Sequence, residues 1–206
     1  LVVSCMGLLS FYLFASGSRM NGVGAFATPN RSPIVAIAPV IGTNSSDSQK
    51  TANSISASLA DGLSRSWVMR VRTEREDSPS ATGSDYRLET QMEDGAENRP
   101  KVFFRMLEVK SGTVIWSNVT QMDQDQNVEN IIGPVVAQIG GPFGALARRE
   151  TAQIDGNFKP GYSCLLGYFA YLNSGNIKLG RKIRKCLSDP IKDNRLESVR
   201  LAFLAF

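Results

Sequence analysis

The sequence predicts an α/β fold, a two-layer mixed sheet with helices on one face, followed by an all-α helical-hairpin repeat region. Three observations predict it. "IVAIAPV" (Ile34 to Val40), bounded by Pro33 and Gly42, is a short unbroken apolar run of the kind that fits a strand buried on both faces. Three segments starting at Asp85, Lys101 and Thr113 alternate apolar and polar residues and are joined by the turn-rich "GAENRP" and "SG", which makes an antiparallel meander. From residue 160 onward the alternation gives way to helical stripes punctuated by "NSGN" and "SDP".

The chain opens on eighteen uncharged residues before Arg19, at the short end of the roughly 17–25 needed to cross a bilayer. This stretch, 1–18, is expected to be a truncated transmembrane anchor. A cleaved lipoprotein signal, to which "VVSC" has some likeness, is the competing reading. Residues 19–33, rich in Gly, Ser, Asn and Pro, read as a tether.

After the first strand, "NSSDSQKTANSISASLADGLSRSW" offers a capping box of Ser46 with Gln49, and an apolar stripe at Ala52, Ile55, Leu59 and Leu63. Leu59 and Leu63 are core candidates on this helix. Val68 to Glu74 alternates as a second strand would, and "REDSPSATGS" is a loop. The hairpin turn at Lys110-Ser111-Gly112 leads into a strand where Trp116 faces the same side as Val114 and Asn118. An aromatic residue in mid-strand is more often core or cross-strand packing than a ligand platform, so Trp116 is taken as a third core residue. Val128 to Ile139 repeats at helical spacing, Gly140-Gly141 stops that helix, and Pro142 suits the first turn of the next.

The composition, 42% hydrophobic and 20% charged over 206 residues, is that of folded globular material. The chain contains no histidine, which removes the Ser-His-Asp and Cys-His arrangements and the usual zinc sites. Asp85, Glu89 and Glu93 lie on one strand face without converging, and "GGPFG" lacks the ending of a phosphate loop. No catalytic, cofactor-binding or metal-binding residue is assigned, no cofactor is expected, and the region reads as non-enzymatic. Net charge is +4, and the C-terminal segment carries an excess of basic residues, notably in "KLGRKIRK". Without stacking aromatics, this reads as a solvated helix face and not as a nucleic-acid site.

The order of elements, with "IVAIAPV", "LADGLSRSW", "DYRLETQMEDG", "FFRMLEVKSGTVIWSNV" and "AQIGGPFGALAR", resembles the TolB amino-terminal-like domain over roughly Arg31 to Thr151. The chain departs from the common form in lacking acidic residues after "DGL" and in having a polar loop before the meander. The helical tail, residues 160–206, looks like a degenerate and truncated tetratricopeptide repeat, with Gly167, Phe169 and Ser188 to Pro190 matching in kind. The domain boundaries that follow are 34–151 for the α/β unit and 160–206 for the helical unit.

The resemblance implies a periplasmic body on a single-pass bacterial inner-membrane protein. By that reading it is the sensor or protein-interaction region of a signalling protein such as a CadC-type transcriptional regulator. An accessory region of a class III adenylate cyclase and an envelope-assembly lipoprotein are the alternatives. A protein partner is expected at the helical repeat, a membrane contact at the N-terminus, and no nucleic acid at this region.

Cys164 lies eleven residues before Gly175 and Cys186 eleven after it, so an antiparallel hairpin about "NSGN" would bring the two level. In the oxidising compartment that the resemblance implies, they are a candidate disulfide. The alternative is that both are small buried residues.

Overall fold

The computed structural model describes residues 30–41, 46–74, 83–95, 99–123 and 127–204. The expected anchor, nearly all of the tether, most of the polar loop after Glu74, part of "GAENRP" and the Ser46 side chain lie outside the described residues. The elements run β1 (Ile34–Ile37), α1 (Ser46–Ser64), β2 (Arg70–Thr73), β3 (Tyr86–Glu93), β4 (Lys101–Glu108), β5 (Val114–Gln121), α2 (Val128–Gly140), α3 (Ala145–Ala152), α4 (Tyr162–Ser174), α5 (Ile177–Ser188) and α6 (Asn194–Leu204).

The five strands form one mixed sheet in the order β2-β1-β3-β4-β5. β1 pairs in parallel with β2 and β3, and β3, β4 and β5 form the antiparallel meander. The central β1 is buried on both faces, with Val35 and Ile37 toward the helices and Ala36 fully enclosed on the other side. α1 lays Ala52, Ile55, Leu59 and Leu63 on the sheet, all at 1% exposure or less. The glycine of "DGL" brings α1 close to α2, because a Cβ on Gly62 would stand 2.8 Å from Cγ2 of Val136. α2 answers with Ile131, Ile132, Val135 and Ile139.

Two local expectations are corrected. Val68 and Met69 do not alternate; both are fully buried, and the strand begins only at Arg70. They plug the space beneath the end of α1, where the Cε of Met69 comes within 3.2 Å of where a Gly140 side chain would begin. Pro142 is not in a first helical turn either. A Cβ on Gly144 would lie 2.6 Å from the carbonyl of Ile139, so the chain folds tightly over the end of α2 before α3 starts at Ala145. By length and apolarity Val128–Ala152 could cross a membrane, but half of its most apolar 18-residue window is buried in this core.

The tail is a helical hairpin, α4 and α5, turned at Gly175 with φ 62°, and closed by α6. Asn176 caps α5 by accepting from the amides of Lys178 (3.0 Å) and Leu179 (3.2 Å). Gly167 permits the close approach, since any Cβ there would collide with Ile183 and Phe158. Cys164 and Cys186 are joined by a disulfide across the hairpin, their Cα atoms 6.0 Å apart.

The tail docks on the α/β unit through Trp67, whose ring stacks on Phe169 at 5.5 Å and meets Tyr162 and Phe203 edge-on. The Arg195 guanidinium donates to the carbonyls of Ser64 and Met69, both at 3.1 Å, and to that of Ser66. One buried cluster therefore runs from Val35 to Leu196.

Candidate functional site

The described helices all lie on one side of the sheet, and strand parity decides what the other side shows. From β3 the open face carries Arg87, Glu89, Gln91 and Glu93; from β4, Phe103 and Arg105; from β5, Ser117 and Val119. Arg87 bridges Glu74 (3.1 Å) and Glu89 (2.8 Å), and Arg105 closes on Glu89 at 2.6 Å. This ladder of charges floors a groove of about 650 Å³, with Ala38, Ile41, Phe103 and Val119 as its apolar rim.

The three acids singled out in the sequence do share this face, yet each goes to a separate partner. Asp85 pairs with Arg31 at 3.2 Å and accepts from the Ile34 amide at 2.7 Å, Glu89 takes two arginines, and Glu93 accepts from Gln91 at 3.0 Å. Among the described residues no group of three possible metal ligands comes together.

β5 is an edge strand of eight residues, and no charged residue occurs from Thr113 to Met122. The Met122 amide donates to Pro100, and the register places Thr120, Asn118 and Trp116 opposite Val102, Phe104 and Met106. In an antiparallel ladder that alternation leaves Ser117, Val119 and Gln121 with N–H and C=O groups pointing away from the sheet. Natural edges are usually blunted by Lys, Pro or a cover; among the described residues this one has only a bulge at Ile115, near its start.

Beside that edge, on the helical side, Trp116, Ala137, Pro142, Phe143 and Arg148 line a second groove of about 440 Å³. Leu59 and Leu63 are fully buried, but Trp116 is only half-buried, which corrects its expected place in the core. The reason is its position. Among the described residues no strand lies beyond β5, and the α2–α3 junction covers part of the indole, while Phe143 next to it remains 49% exposed.

A buried polar cluster ties the α/β unit to the tail. The Tyr86 hydroxyl donates to Glu150 at 2.5 Å, with both residues under 5% exposed. Burial pushes the Glu150 carboxyl above its usual range, and nearby Asp85 and Glu108 add to this against the Tyr86 bond and Arg149. Tyr162 reaches the same spot; its hydroxyl is buried without a hydrogen-bond partner among the described residues, and burial raises its pKa. At the rim, burial of Glu108 is outweighed by donors from Ser111 (2.5 Å), Arg149 (3.0 Å) and Gln153 (3.2 Å), which hold its carboxyl low. Sequence reasoning missed this cluster and Trp67, because neither has a spacing signature.

In class, then, this is a two-layer α/β unit with one face open, β5 as a long unpaired edge and a helical hairpin docked on its helical side. No protein-family model and no curated protein matches the chain. Among solved structures it is similar to the PelC dodecamer from Paraburkholderia phytofirmans, at 16% identity and a TM-score of 0.39 over 57% of this chain and 88% of that one. It is also similar to TolB from Acinetobacter baumannii, at 15% identity and 0.36 over 52% of this chain and 28% of that one. Lipoprotein GNA1162 from Neisseria meningitidis matches at 13% identity and 0.32 over 51% and 91%. At these values the likenesses assign neither a family nor a function. They give no support to tetratricopeptide repeats, CadC-type regulators or adenylate cyclases.

Proposed function

We propose that the chain is a non-catalytic, protein-binding component of the bacterial cell envelope, working in assembly and not as the sensory arm of a regulator or cyclase. The observation that carries this reading is β5, an uncharged edge with three outward-facing peptide groups beside an aromatic groove. A partner's extended segment can add there as a sixth strand. Its main-chain hydrogen bonds would supply affinity, and alternate side chains, seated against Trp116 and Phe143, would supply specificity. The disulfide favours an oxidising compartment, and the uncharged N-terminal run favours attachment to a membrane. A sensory arm needs two states or a ligand that favours one of them; the open face instead has its charges satisfied by one another.

Val119→Pro tests the reading, since proline there removes an outward N–H and leaves the ladder to β4 intact. The full-length chain, extracted from membranes in mild detergent, should run as an assembly larger than one chain. The variant should run as a single chain with unchanged circular dichroism. An assembly of the same size in both would contradict the proposal.

A further inference from the structure

Helix α5 turns one face to its neighbours and a very different one outward. Ile183, Cys186 and Leu187 are buried against the hairpin. At 100° per residue, Lys178, Arg181, Lys182, Arg184 and Lys185 spread over the opposite side, centred on the direction away from Ile183. All five are exposed, and among the described residues none is in an ion pair. No acidic residue occurs between Asp155 and Asp189. Lys178 with Lys182, and Arg181 with Lys185, are like-charged pairs four residues apart, which weaken a helix unless an anion lies over them. The disulfide at Cys186 holds the helix in this rotation.

The rim of this face is apolar. Ile177, 69% exposed, and Leu172, 52% exposed, project at the α4–α5 turn beside Lys178. Tyr171, at the end of α4, packs against α5; its ring would lie 2.7 Å from a Cβ on Gly180. A surface that offers charge and aliphatic tips without exposed aromatic rings lacks what single-stranded nucleic acid stacks upon.

We propose that the outer face of α5 is a docking surface for the anionic phospholipid headgroups of a membrane. The five cations meet the phosphates, and Ile177 and Leu172 enter the headgroup boundary. The helix does not embed, because its own apolar side is occupied by α4. Docking here orients the body on the bilayer, with α5 against the lipid.

The test uses the full-length chain carried in vesicles of phosphatidylcholine alone or mixed with phosphatidylglycerol, with lysine acetylation rates read by mass spectrometry. Lys178, Lys182 and Lys185 should react at least fivefold more slowly in the anionic vesicles, Lys101 and Lys159 should be unaffected, and high salt should abolish the difference. At about 1 kcal/mol per cation, or about fivefold, Arg181→Gln with Arg184→Gln should weaken the protective equilibrium about 25-fold. Equal rates in the two vesicle types would overturn the proposal. So would slowing by added duplex DNA, but not by phosphatidylglycerol, which would assign the face to nucleic acid.

Discussion

Replacing Tyr86 by Phe removes one hydroxyl and almost no volume, so its effect isolates the bond to Glu150. Both residues are nearly inaccessible, and the bond is short at 2.5 Å. A hydrogen bond to a charged group contributes about 1.5–3 kcal/mol, and one between neutral groups about 0.5–1.5. The loss should therefore be about 2 kcal/mol where the carboxyl is ionised, and about 1 kcal/mol where it is protonated. Burial raises the folded Glu150 carboxyl above its ordinary 4.5, so the folded chain binds that proton more tightly than the unfolded one. Its contribution to stability is then greatest at low pH and falls as pH rises from about 4.5 through the folded value. Urea unfolding followed by tryptophan fluorescence, at the acidic and the alkaline end of the pH range in which the fold persists, reads both quantities. A loss that is the same at both ends, or below about 0.5 kcal/mol at each, would refute the reasoning.

Glu150→Gln, which keeps an acceptor for Tyr86 and adds donors near Tyr162, should flatten the same pH dependence; a slope unchanged from wild type would contradict the assignment. Glu197, held at about 2 by Arg200 and the Ile191 amide, has the opposite sign: its contribution is present above about 4.5 and is lost as pH falls toward 2. Glu197→Gln should remove that part of the acid limb, as acid titration by circular dichroism would read. Unreduced and unfolded, the chain from Asn30 onward should yield no free thiol, and two after reduction. Reduction should lower stability by about 3 kcal/mol in the chain-entropy account. Trp67→Ala should cost about 3 kcal/mol, because its ring meets Tyr162, Phe169 and Phe203, and Trp116→Ala clearly less, because Trp116 has no ring contact among the described residues; equal losses in urea titrations would show that those ring contacts add nothing.

The hydrophobic patterning carried the sheet and its helices, because periods of two and of 3.6 residues are written directly into burial: Tyr86 to Met92 and Val102 to Met106 alternate as read, and Ile55, Leu59 and Leu63 form the stripe. The hairpin turn was legible from Gly112, whose φ of 67° a side chain would resist. Which of two tryptophans gathers the other aromatic rings was not legible. Trp116 sits in a strand, a core-like context, but periodicity does not say that β5 is an edge; Trp67 follows a helix in a polar stretch, and only the return of α4 and α6 gives it neighbours. The Tyr86–Glu150–Tyr162 cluster joins residues 64 and 12 positions apart, beyond any local pattern. The outward row on β5 was likewise hidden, since it depends on strand order and hydrogen-bond phase and not on side-chain type.

A photo-crosslinking residue placed at Ser117 in cells tests the central claim, strand addition at β5, most directly, with the exposed Ser54 of α1 as its control. The account predicts a discrete adduct at Ser117 that Val119→Pro abolishes, and none at Ser54. No adduct at Ser117, or one that survives Val119→Pro, would contradict it.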